Sequence, residues 1–65
     1  MRDYSNSEIS EIIDEHIHSE RDRALLKRRL IDGLTQERLA EEFDLSTRQV
    51  QRLLYRLQDK VLRHI

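Results

Sequence analysis

Apolar positions recur along this chain with the three- and four-residue spacing of helices, and each run is preceded by a residue suited to start one. Ile9, Ile12, Ile13, His16 and Ile17 form one face of a first helix, and Ser5 with Glu8 makes a capping box ahead of it. Ser19 is a second start signal, followed by Glu20 and Asp22, acids that suit a helix N-terminus. The second helix is expected from about Glu20 to Asp32, stopping at Gly33. Its core residues are read as Ala24, Leu26, Leu30 and Ile31, with Leu25 as a further candidate. Its outer side carries Arg21, Arg23, Lys27, Arg28 and Arg29, several of them expected to pair with acids of the first helix and one or two to touch DNA phosphate. Thr35 caps a third helix, and Leu34 before it can fold back onto that helix. Leu39, Ala40 and Phe43 share one side there, while Glu37, Arg38, Glu41 and Glu42 fall mostly on the other.

The stretch from Leu34 to Leu54 then reads as two helices joined by a tight turn, a helix-turn-helix. Ala40 gives the small side chain that two steeply crossing helices need where they approach. The turn is Phe43-Asp44-Leu45, and Asp is one of the few residues besides Gly that readily visits the left-handed backbone region favoured at such a turn. Ser46 caps the last helix, with Gln49 reaching back as the second half of a capping box. Val50, Leu53, Leu54, Leu57 and Val61 form its buried stripe. The fold class is therefore all-α: one small four-helix domain over 1–65 with the helix-turn-helix at about 35–64.

Opposite that stripe lie Thr47, Arg48, Gln51, Arg52 and Arg56. Arg suits guanine O6 and N7, Gln suits adenine, and Thr suits a hydrogen bond or a thymine methyl. A generic amphipathic hairpin with solvated arginines is the plain alternative. The conjunction of Ala40, a short turn, the Ser46 cap and Val50 in phase argues against it.

Net charge is −1, which on its face argues against nucleic acid. The distribution changes the picture. Residues 1–20 hold six acids and one base, whereas residues 21–65 hold eleven bases and seven acids. Arg48, Arg52, Arg56 and Lys60 recur every four residues and line one drifting stripe of the last helix, the electrostatic footprint of a DNA-binding element.

Other chemistry is thinly represented. The chain has no Cys and so neither a disulfide nor a thiolate metal site. His16 and His18 are two apart and diverge on a helix, so no metal is expected. Adjacent Glu41 and Glu42 diverge likewise, no Gly-rich phosphate loop is present, and nothing orders Ser, His and Asp into a relay. An enzyme is not expected, nor is any cofactor. No apolar run approaches the roughly 20 residues needed to cross a membrane, and the polar, acidic start does not read as a signal peptide. The expected location is the cytoplasm, in association with the nucleoid.

From Arg21 to Leu57, RDRALLKRRLIDGLTQERLAEEFDLSTRQVQRLLYRL resembles region four, the C-terminal DNA-binding region of bacterial RNA polymerase sigma factors. The shared pattern is an Arg-acid-Arg start, a Leu-rich helix, Gly-Leu-Thr, a Glu-rich Leu-Ala helix and a Ser-capped recognition helix. The resemblance implies base contacts to a promoter element from Thr47, Arg48, Gln51 and Arg52. It implies backbone contacts from Thr35, Gln36, Ser46, Gln49 and Arg56. Sixty-five residues leave no room for the regions with which a complete sigma factor binds core polymerase and melts DNA. The chain is therefore similar to small stand-alone sigma-like proteins of prophages and mobile elements in low-GC Gram-positive bacteria. The run IHSERDRALLKRRLIDGLT is similar to their phage-type late-transcription regulators.

The expected function is sequence-specific binding of double-stranded DNA in transcription regulation. A module this small has a marginal core and buries on the order of 600–1,000 Å² on DNA. A homodimer or contact with RNA polymerase would then add burial and specificity. The alternative is a protein-interaction module that docks on RNA polymerase or another regulator through the acidic first helix; a third option is DNA recognition inside a phage packaging or recombination machine. Tyr55, Leu62 and Ile65 lie off the main stripe, where they cover the first helix or form a subunit contact, with packing inside the monomer the better reading for Tyr55.

Overall fold

A computed structural model describes residues 4–63, and all regular structure among them is helical. The order is α1 (Asn6–His16), α2 (Glu20–Leu30), α3 (Gln36–Phe43) and α4 (Thr47–Leu62). Each N-cap is a hydroxyl residue that accepts from the backbone N–H three residues on: Ser5 from Glu8, Ser19 from Asp22, Thr35 from Arg38 and Ser46 from Gln49. The expected capping boxes at Ser5–Glu8 and Ser46–Gln49 are both present.

Helix α4 packs against all three others, and α2 touches every other helix, whereas α1 and α3 do not pack together. The core that results is Ile13 and Ile17, Leu25 and Leu26, Leu39 and Ala40, and Val50, Leu54, Leu57 and Val61. Leu34, Phe43, Leu45 and Leu53 close its edges as partly buried neighbours. No helix among the described residues is long and apolar enough to cross a membrane.

Helix α2 departs from the expected pattern. Its inward face is Asp22, Leu25, Leu26 and half-buried Arg29, at i, i+3, i+4 and i+7. Ala24 therefore falls on the far side and is exposed, and Leu30 falls on the flank and is 39% exposed. The helix also stops at Leu30, two residues before the expected end, and Gly33 at φ +72° carries the chain away. Polar groups on this helix stitch the turns around it. Arg23 donates to the carbonyls of Ile17 and, at 3.0 Å, of Asp14, at the end of α1. Arg29 donates to the Leu34 carbonyl at 2.7 Å, pinning the connection to α3.

Candidate nucleic-acid interface

Three residues, Asp44, Leu45 and Ser46, separate α3 from α4. Asp44 adopts the left-handed conformation at φ 55°, ψ 48°, where an L-residue other than Asn or Asp is strongly disfavoured. The Leu45 amide donates to the Ala40 carbonyl at 2.9 Å and the Asp44 amide to Glu41 at 3.4 Å, a Schellman closure of α3. The chain can thus reverse direction and restart a helix at once. Ser46 anchors that restart: its Oγ accepts from the Gln49 amide at 3.1 Å, and the Gln49 Oε1 accepts from the Ser46 amide at 3.0 Å.

Burying Val50, Leu54, Leu57 and Val61 turns the opposite side of α4 outward. Thr47, Arg48, Gln51, Arg52 and Arg56 are all exposed there. Arg48, Gln51, Arg52 and Tyr55 line a shallow depression of about 380 Å³. Gln36 is half-buried at the start of α3 and lines a second depression with Gln51 and Tyr55. Thr35 is exposed; its Oγ1 accepts from Arg38 at 3.2 Å, which leaves its hydroxyl hydrogen free to donate outward.

Two of the residues expected to contact the DNA backbone are engaged within the protein. The Ser46 hydroxyl lies 3.3 Å from Gln49 Oε1, to which it donates, so both its donor and acceptor functions serve the cap. Gln49 retains only its amide NH₂ for an outside partner.

The basic residues divide sharply by helix. Every one on α2 is engaged: Arg21 with Asp22, Lys27 with Asp14 at 2.8 Å, Arg28 with Asp32 and Glu42, and Arg23 and Arg29 with carbonyls. On α4, Arg48, Arg52, Arg56 and Lys60 make no ion pair among the described residues; beyond the helix, Arg63 is held by Asp59 at 3.1 Å. Four uncompensated cations on one helix make a field that an anion would neutralise, whatever the net charge of the chain.

Of these α2 cations only Lys27 pairs with an acid of α1 among the described residues, because Asp22, Asp32 and Glu42 stand nearer to Arg21 and Arg28. Two contributors were not singled out by the sequence pattern. Arg21, one of several α2 cations from which a phosphate contact was expected, lines a groove with Leu45, Gln49, Arg52, Leu53 and Arg56, so the start of α2 adds a cation beside the α4 stripe. It is oriented by Asp22, which is 8% exposed and accepts from the Arg21 Nε at 3.2 Å. A buried acid at the third position of a helix signals such a role only when the helix's packing face is known. Tyr55 is the second: it is 82% exposed rather than packed inside the monomer, and Leu62 is 65% exposed. Leu54 and Leu57 beside Tyr55 take the inward positions, which directs its ring to solvent. Ile65 lies outside the described residues.

Compared with protein-family models, curated proteins and solved structures, the chain matches none.

Proposed function

We propose that this protein is a sequence-specific DNA-binding transcriptional regulator, with α4 as the recognition helix in the major groove and α3 set across it. The observation that carries this reading is the contrast between engaged cations on α2 and four unpaired cations on α4, next to Thr47 and Gln51 on the same exposed side. Thr47, Arg48, Gln51 and Arg52 read base edges. Arg56, Thr35 and Gln36 hold the backbone, joined by Arg21 through the Nη1 that its bond to Asp22 leaves open, while Ser46 and Gln49 act mainly by fixing the start of α4. The resemblance to sigma region four supports the same assignment. Operation at the nucleoid follows, with a homodimer or RNA polymerase adding the specificity that one small module lacks. The alternative reading, a protein-interaction module, instead makes the acidic exposed residues of α1, Glu8, Glu11 and Glu15, the docking face for polymerase or another regulator.

Selection of bound sequences from a random duplex pool, followed by salt titration on the winner, tests the reading. An enriched motif is expected, with log affinity falling about 0.9 per log unit of salt for each phosphate neutralised. A folded protein that enriches nothing would overturn it. A palindromic motif would identify a dimer.

A further inference from the structure

We infer that Tyr55 is a DNA contact, its hydroxyl donating to a backbone phosphate beside the bases read by Arg48, Gln51 and Arg52. This rests on the DNA-binding reading above. Tyr55 is the one exposed aromatic residue among those described, and its hydroxyl has no hydrogen-bond partner there. Its position continues the reading face: Arg48, Gln51, Arg52 and Tyr55 stand at i, i+3, i+4 and i+7 of one helix. The four side chains enclose the same depression, and Tyr55 also borders the one that holds Gln36. It is thus the ridge between the base-reading residues of α4 and the start of α3.

The chemistry fits a phosphate. A phenol presents a donor on a rigid arm with two rotatable torsions, and its ring gives apolar contact to a sugar edge. The unpaired Arg48 and Arg52 in the same depression draw the anionic backbone to it.

The test compares Tyr55→Phe, Tyr55→Ala and Arg52→Ala with the parent protein, on the duplex selected by the parent and on scrambled duplexes. Tyr55→Phe is expected to weaken binding about two- to tenfold, the worth of one hydrogen bond. The selected motif should stay the same. The slope of log affinity against log salt should also stay the same, because a neutral donor releases no counterion. Circular dichroism melts should match the parent, since the side chain is exposed. If Tyr55→Phe binds as the parent does while Arg52→Ala is impaired, the inference about Tyr55 fails and the DNA reading stands. If the parent selects no sequence, both fail. Weakening of Tyr55→Phe accompanied by loss of a dimer in sedimentation would assign Tyr55 to a subunit interface and overturn the phosphate contact.

Discussion

The amide of Leu45 donates to the carbonyl of Ala40 at 2.9 Å, and this bond makes the corner between the third and fourth helices. It exists only because Asp44 between them turns left-handed. Ala40 is buried at one side of the corner and Leu45 packs on the core at the other, so the local turn and the tertiary packing fix the same angle. The exposed side of α4 faces outward as a consequence.

Substitution at Asp44 therefore acts on the corner. Asp44→Val places a branched side chain in the left-handed region and should destabilise the domain by about 1–2 kcal/mol. Asp44→Gly should lie within about 1 kcal/mol of the parent, because relief of strain offsets the greater freedom of the unfolded chain. Urea unfolding followed by circular dichroism measures both. A Val variant as stable as the parent would mean that Asp44 does not hold this conformation.

The cap at Ser46 can be separated from DNA contact by charge. Ser46→Ala removes the acceptor for the Gln49 amide and should cost about 1 kcal/mol. Ser46→Asp keeps an acceptor and suits the positive helix end, so stability should be retained. It also sets a negative charge beside Thr47 and Arg48, and DNA affinity should drop on every sequence. Melting curves paired with binding titrations read the two effects independently. Undiminished binding by Ser46→Asp would remove the start of α4 from the interface.

The local features were the legible ones. Four hydroxyl caps, two capping boxes and a left-handed Asp44 each depend on a few neighbouring residues, and all stand where the pattern put them. The phase of α4 was equally legible, because five apolar residues outvote any error at one position. Helix α2 was not. With charged residues at most of its positions, its inward face is decided by three neighbouring helices rather than by its own apolar stripe, so Asp22 is buried while Ala24 and Leu30 are not. The shared groove of Arg21 with Arg52 and Arg56 depends on that same tertiary arrangement, which spacing along the chain does not encode. The outward Tyr55 was legible, since the phase of α4 sets it seven residues after Arg48 on the exposed side.

Arg28 ties α2 to α3. Its Nη2 lies 2.8 Å from Glu42 Oε1, and its Nη1 lies 2.9 Å from Asp32. Hydrogen bonds to Glu42 first and Asp32 second hold the guanidinium above its ordinary pKa. All three groups are open to water, so the effect on stability is modest and screened by salt. Arg28→Ala should lower the melting temperature slightly at low ionic strength, and the gap from the parent should narrow toward about 1 M salt. A gap that persists unchanged in salt would assign the loss to the packing of the Arg28 stem instead.

Arg52 and Arg56 lie one turn apart on α4, both exposed and unpaired, yet they are assigned different partners. Arg52 shares the depression with Arg48 and Gln51, where a guanidinium can present two donors to a guanine edge. Arg56 stands one turn further from the start of α4 and is absent from that depression; it lines, with Arg21 and Arg52, the neighbouring groove, which the proposed reading sets along the DNA backbone. Arg52→Ala should cost about 1–3 kcal/mol at the selected site and relax preference at one base pair. Arg56→Ala should weaken binding by similar factors on all sequences and reduce the salt slope by about 1. Titrations of both variants against the selected duplex and its single-base changes, at several salt concentrations, distinguish the two roles. If Arg52→Ala instead weakens all duplexes uniformly, Arg52 holds a phosphate, and the base-reading face contracts to Thr47, Arg48 and Gln51.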